Sequence, residues 1–201
     1  MIPMGRLSTT PVPSDFVPPD DLEGAATFEF GPISDYEMGG KAISDPSLGN
    51  QDRVWRMTAN ELGEVYFYAE ENPEFLFITL PGLTELSFTF DQNMRPVLAY
   101  VQNGVARLRW YNTVPGDYVV TDLPAGSISP RVSLDDKRQT QTALGDNDVI
   151  LAYVRNGNLY YRQQRDRYEN EYLLAAVGSA KLIRIGMNMG NRLQFLLEEI
   201  L

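Results

Sequence analysis

The sequence predicts an all-β protein built of four-stranded antiparallel, blade-like repeats behind an extended, proline-rich N-terminal arm. Three observations carry that expectation. From Val54 onward, runs of β-branched and aromatic residues alternate with polar ones at period two, and turn residues interrupt them every eight to twelve positions. The phrase "AYVQNG" at Ala99 to Gly104 returns as "AYVRNG" at Ala152 to Gly157, with one difference. The first stretch, by contrast, holds Pro3, Pro11, Pro13, Pro18 and Pro19 and has no apolar period.

Taken in order, residues 1–26 form the arm. Proline removes backbone donors and favours extended polyproline II, so this stretch is a tail or an arm that docks on a neighbour, not part of a sheet. Residues 27–52 are a loop-rich lead-in. There "TFEF" is a candidate short strand, and "GPISDYEMGGKAISDPSLGN" reads as a long ordered loop because of its turn residues. Residues 53–201 are the β-repeat domain. Its strands are "VWRMTA", "EVYFYAE", "EFLFITL", "ELSFTFD", "PVLAYVQ", "ARLRWYN", "YVVTDL", "RVSLD", "VILAYVR", "NLYYRQQ", "EYLLAAV", "KLIRIGM" and "RLQFLLEE". The last could be helical by propensity, and a strand through Phe195 is favoured.

The repeat aligns Phe90-Asp91 with Leu134-Asp135 and Ala99-Tyr100 with Ala152-Tyr153. Each copy continues through an Asn-Gly turn, an aromatic strand and a fourth strand. Asn103-Gly104 and Asn156-Gly157 suit two-residue type I′ hairpins, which need positive φ at both central residues. One unit has the size and strand count of a propeller blade. Ala99 and Ala152 would then be small residues facing a neighbouring sheet, with Tyr100 and Tyr153 facing the other way. Two complete copies, a partial third, and three earlier strands from Val54 to Leu80 can be written. Joining the chain's start and end into one sheet gives three blades, too few for an ordinary ring, so a partial propeller or a stack of sheets completed by another subunit is expected. Lys41, Lys137 and Lys181 are the only lysines, so sheet edges carry little lysine protection.

Composition narrows the chemistry. With no histidine and no cysteine, Ser-His-Asp and Cys-His nucleophilic machinery, thiolate chemistry and Cys-based metal sites are excluded. Lys plus Arg is 17 against 27 for Asp plus Glu, a net charge of −10, which argues against nucleic acid as a partner. "MIPMGRLSTTPVPSDF" has no apolar signal core, and no run approaches membrane-spanning length. Carboxylate-only chemistry survives, with Asp91, Asp135, Asp136 and Asp166 as candidate acids. Asp91 and Asp135 occupy equivalent positions at strand ends, where Asp caps turns, and the capping role is favoured. Asp146 and Asp148 in "GDNDV" alternate as in calcium loops but lack the other ligands, and read as a solvated loop tip. No catalytic, cofactor-binding or metal-binding residue is assigned, and no cofactor is expected. The densest polar-aromatic stretch is "YYRQQRDRYENEY". On a continuous strand Tyr161, Gln163, Arg165 and Arg167 share one face, a composition suited to a protein partner; Phe16 and Val17 of the arm join them as expected partner contacts.

The ordered series "GPISDYEMGGKAISDPSLG", "LSFTFDQNMRPVLAYVQNG", "SPRVSLDDKR", "GNLYYRQQRDRYENEYLL" and "IGMNMGNRLQF" resembles a family of small virion-associated structural proteins of tailed bacteriophages and prophages, over about Phe28 to Phe195. The resemblance implies a non-enzymatic component of the tail or its fibre-attachment apparatus. Such a protein is made in the host cytoplasm and localised in the virion. Its partners would be other tail or virion proteins, in a homo-oligomer or a hetero-assembly, with no membrane span. The alternative expectation is a carbohydrate-binding or carboxylate-dependent glycan-cleaving module with Trp110 as a sugar platform.

Overall fold

In the computed structural model, residues 27–30, 41–45, 51–69, 72–91, 93, 95–135, 148–187 and 193–200 are described. The arm, with Phe16 and Val17, lies outside them. The described chain is all-β, as its alternation predicts, with fifteen strands in four sheets. The first sheet has β2 (Lys41–Asp45), β3 (Gln51–Ala59), β4 (Glu64–Ala69) and β5 (Asn72–Thr79) in that order. The second has β6 (Leu83–Phe90), β7 (Pro96–Gln102), β8 (Val105–Asn112) and β9 (Asp117–Asp122). The third has β10 (Ile128–Asp135), β11 (Asp148–Arg155), β12 (Asn158–Gln163) and β13 (Tyr172–Ala176). All three are antiparallel meanders. The fourth places β15 (Leu193–Glu199) between β14 (Ala180–Met187) and β1 (Thr27–Phe30), with β1 parallel to β15.

Two elements differ from the sequence reading. The stretch read as a loop contains a strand, β2, which pairs with β3 and makes the three-strand group from Val54 a complete four-stranded sheet. The chain's start and end do share a sheet, through β1 and β15, but that sheet is additional to the other three. The sheet count is therefore four, not three. The C-terminal segment is extended to Glu199, because pairing with β14 and β1 outweighs the helix propensity of Leu and Glu.

The duplicated phrase is a shared register. Ala99 pairs with Ser87 on β6 and Leu108 on β8; Ala152 pairs with Arg131 on β10 and Tyr161 on β12. Ser87 lies four residues before Asp91 and Arg131 four before Asp135, so the aligned positions coincide in space. The hairpin turns have φ of 50° and 75° at Asn103-Gly104, and 52° and 73° at Asn156-Gly157, the positive pair that type I′ requires. Gly63 (φ 76°) serves a tighter purpose. A Cβ there would sit 2.1 Å from the Leu80 carbonyl oxygen, whose own residue donates its N–H to the Gly63 carbonyl at 2.7 Å.

The sheets stack face to face through three apolar clusters. Phe67 and Met57 of the first sheet meet Phe88 and Tyr100 of the second, with Phe67 edge-on to Phe88 at 5.4 Å. Ala99 and Trp110 of the second meet Leu151 and Tyr153 of the third. Ala152 and Tyr161 of the third meet Leu182 and Phe195 of the fourth. Each repeat phrase thus sends its alanine to one neighbour and its tyrosine to the other, as the period of two demands. Burial of this apolar area is the main stabilising term.

Candidate functional site

The polar groups that could carry function gather where the second, third and fourth sheets meet. At the first strands, Arg131 is buried on β10. Its Nε donates to the Ile183 carbonyl on β14 at 2.7 Å, and its Nη1 donates to Glu85 on β6 at 2.8 Å and to the Pro130 carbonyl at 2.9 Å. The Val132 N–H donates to the Ser87 hydroxyl at 3.1 Å. One guanidinium, with its planar fork of donors, thereby ties three sheets.

At the other end of these strands sit Asp91, Asp135 and Asp148, all buried. Asp91 closes β6 and accepts the N–H groups of Asn93 at 2.8 Å and Arg95 at 2.9 Å. That is the turn-capping role its strand-end position suggests. The turn after Asp135, including Asp136, lies outside the described residues, as does Asp146. Asp148 is not a solvated loop tip. It is 2% exposed, opens β11 opposite Asp135, and takes the Arg165 backbone N–H at 2.9 Å and side-chain Nε at 2.5 Å. Burial pushes its carboxyl above the usual aspartate range and Asp135 adds to that, while Arg165 pulls it back. The neighbouring Tyr168 hydroxyl is buried and finds no hydrogen-bond partner among the described residues. Burial, then Asp148, Asp91 and Asp166, hold it neutral, well above the ordinary tyrosine range. Asp166 accepts the Tyr172 hydroxyl at 2.9 Å and the Tyr168 N–H at 3.1 Å. Its neighbourhood and burial push Tyr172 up to about 12, burial being the larger cause.

The expected ladder Tyr161, Gln163, Arg165, Arg167 does not form. β12 ends at Gln163, and the chain turns through a 3-10 segment at Gln164–Asp166 into Arg167, at φ 57°. Period-two alternation stops with the strand, so the four side chains share no face. Tyr161 and Gln163 are buried, and Tyr161 stacks on Tyr172 at 4.9 Å. Neither offers a surface to a partner. Arg165 is engaged by Asp148, and the Arg167 side chain, 48% exposed, lies beside Glu169 at 2.6 Å.

Sequence reasoning missed Glu171. Its carboxylate accepts the Tyr153 hydroxyl and Arg155 Nη2, with Arg162 Nη2 at 3.4 Å. Arg162 also donates to the Tyr153 hydroxyl at 3.0 Å and to the Tyr168 carbonyl at 3.0 Å. Burial, above all, raises the Tyr153 pKa far beyond the ordinary tyrosine value, so it acts as a neutral donor to Glu171. Only the excess of Arg and Glu around the aromatic strand hinted at this network. Trp110, the suggested sugar platform, is buried and packs edge-on to Tyr168 at 5.1 Å, so it has no free face for a ligand.

Chemically, this arrangement holds strands and turns: each carboxylate whose contacts are given above accepts from backbone N–H, Arg or Tyr of a neighbouring segment. Among the described residues, no group of three or more acidic side chains is placed to hold a metal ion, and no helix is long and apolar enough to cross a membrane. Comparison of the chain with protein-family models, curated proteins and solved structures finds no match.

Proposed function

We propose that this chain is a non-enzymatic structural and interaction component of a bacteriophage virion, in the tail or its fibre-attachment apparatus, and that its four sheets are blades of a partial propeller or open stack. The observation that carries the structural part is the placement of the polar-aromatic motif. Tyr153, Tyr161, Arg162, Asp148 and Glu171 are turned inward and pair with one another or with neighbouring strands, where a reactive site would leave acids facing a cleft. The virion part rests on the ordered motif string from Gly31 to Phe195. Partners suit such a molecule because, among the described residues, the outer strands β5 and β9 are each paired on one side only. β9, the last strand of the second sheet, exposes Val120 at 55%, and β5, the last of the first, exposes Leu76 at 51%. Unpaired strand edges invite another chain.

The test is mass spectrometry of purified particles from a phage or induced prophage encoding this sequence, followed by a density map of the tail. The expected result is the chain at fixed copy number in the particle. Particles of full infectivity that lack it refute the proposal.

A further inference from the structure

Between the outer strands of the first and second sheets runs a seam that gathers aromatic rings and arginines. Leu108 and Trp110 on β8, and Val119 on β9, pack toward the third sheet. Their alternates face the first: Arg107, Arg109 and Tyr111 on β8, Tyr118, Val120 and Asp122 on β9. The Arg109 guanidinium lies 3.9 Å from the centre of the Tyr118 ring and 5.3 Å from that of Phe77 on β5. Arg95, just before β7, lies 3.9 Å over Tyr111, and the Tyr111 and Tyr118 rings meet edge-on at 5.4 Å. Phe75 of β5 is 46% exposed and Val120 of β9 is 55% exposed, so apolar surface lies beside these cations.

Charge in the seam does not balance among the described residues. Arg107 is held by Asp122 at 2.8 Å and by Gln102 at 2.5 Å. Arg95 and Arg109 have no carboxylate partner among the described residues. Asp91 opposes them at the Tyr118 hydroxyl, but its carboxylate is buried and already accepts the N–H groups of Asn93 and Arg95. Asp117 alternates to the other face of β9, and Glu74 accepts from the Thr58 hydroxyl on the far face of the first sheet. Stacking on a ring uses the flat face of a guanidinium and leaves its in-plane N–H groups in need of acceptors. Arg109 Nη1 is buried and finds none among the described residues. A buried donor left in that state is costly, so the seam calls for an acceptor from elsewhere.

The chain itself carries a segment that fits. Residues 11–23 read "PVPSDFVPPDDLE", with four acids, no base, four prolines and Phe16. Proline-rich extended segments dock on aromatic side chains, and carboxylates take guanidinium edges in paired, charge-assisted hydrogen bonds. The arm leads into β1 at Thr27, which is an outer strand of its sheet as β5 and β9 are of theirs. Packed sheets lie about 10 Å apart, so the seam is on the order of 25 Å from the fourth sheet across the stack. Asp15 stands twelve residues before Thr27, and that length spans about 37 Å in polyproline geometry.

We infer that residues 11–23 dock in this seam of their own chain, their carboxylates on Arg95 and Arg109, their prolines and Phe16 against Phe75, Tyr118 and Val120. The tether holds the arm at a local concentration on the order of millimolar, which favours a chain's own arm over a neighbour's. Docking covers side chains between the sheets and leaves the backbone edges of β5 and β9 to partners, so it is independent of the virion reading.

Because the chain has no cysteine, labels can be placed at chosen sites. The full chain carrying Ser14→Cys in the arm and Val114→Cys in the exposed β8–β9 turn is spin-labelled at both positions. Pulsed dipolar spectroscopy reads the label distance, with and without dilution in unlabelled wild type. The expected result is one short, narrow distance that dilution leaves in place. Asp15→Asn, Asp20→Asn, Asp21→Asn and Glu23→Gln, combined in that chain, should remove most of the narrow component and leave the broad spread of a free tether. Arg95→Gln with Arg109→Gln should do the same, whereas Arg107→Gln, at the arginine Asp122 already holds, should leave the distance unchanged. A broad distribution in the parent chain overturns the inference. So does a narrow distance that survives neutralisation of the four acids, or one seen only without dilution, which assigns the seam to a neighbour's arm. Loss of the narrow component in Arg107→Gln as complete as in the Arg95–Arg109 variant also overturns it, because general attraction would then suffice. Should circular dichroism show that the Arg109 substitution misfolds, Arg95→Gln alone and the neutralised arm decide.

Discussion

Replacing Arg131 by Met removes the guanidinium that ties β6, β10 and β14 while keeping most of its volume. Its side chain is 6% exposed, so the Nε bond to the Ile183 carbonyl counts almost in full, at about 1.5–3 kcal/mol for a charged donor. The Glu85 carboxylate is 32% exposed and regains water when the arginine is lost, so that pair adds only about 0.5–1 kcal/mol. The Pro130 carbonyl belongs to the preceding residue and is a short-range contact, contributing about 0.5–1 kcal/mol more. The expected loss is about 2.5–5 kcal/mol, the range that breaking a buried charged pair costs. Glu85→Gln should cost under about 1 kcal/mol, since that carboxylate is partly solvated. Urea unfolding followed by tryptophan fluorescence and circular dichroism measures both. Because Arg131 joins separate sheets, its loss should also separate the two transitions, the fourth sheet melting first. A single coincident transition with a loss below about 1 kcal/mol would refute the claim that this arginine couples the sheets.

Further outcomes follow from single contacts. Gly63→Ala should cost about 2–4 kcal/mol, since its Cβ meets a backbone carbonyl at a positive φ, whereas Gly104→Ala, with nothing within 4 Å, should cost only about 1 kcal/mol for the backbone conformation; melting temperatures compare them. Tyr161→Ala should cost about 3–5 kcal/mol as a core truncation, while Arg167→Ala on the exposed turn should stay within about 0.5 kcal/mol, by denaturant titration. Asp148 has its pKa raised on folding, so the folded state holds the proton more tightly. Its contribution is present below the unfolded aspartate value, about 3.9, and is lost as pH rises through the raised folded value. The difference in unfolding free energy between wild type and Asp148→Asn should therefore fall with rising pH just above 4; a difference that rises with pH there contradicts the burial argument.

Local pattern made much of this protein legible. Alternation at period two placed β6 to β13 and decided which face each residue takes, because side chains in an extended strand can only point to opposite sides. Hence Ala99 and Tyr100, like Ala152 and Tyr153, divide between two cores as read. The Asn-Gly pairs located both hairpins, since few residues tolerate positive φ. What only the tertiary structure decided depends on partners distant in the chain. "KAISD" is short and set among glycines and a proline, and becomes β2 only by pairing with β3. β1 finds β15 across nearly the whole sequence. The continuous ladder read from Tyr161 to Arg167 failed at Gln164, where the turn is held by the buried Asp148 from the start of another strand. A one-dimensional period carries no record of such a bond. Asp148 is buried where Arg165 reaches it from the turn after another strand, and that meeting is fixed by how the strands pair, not by its neighbours in the chain.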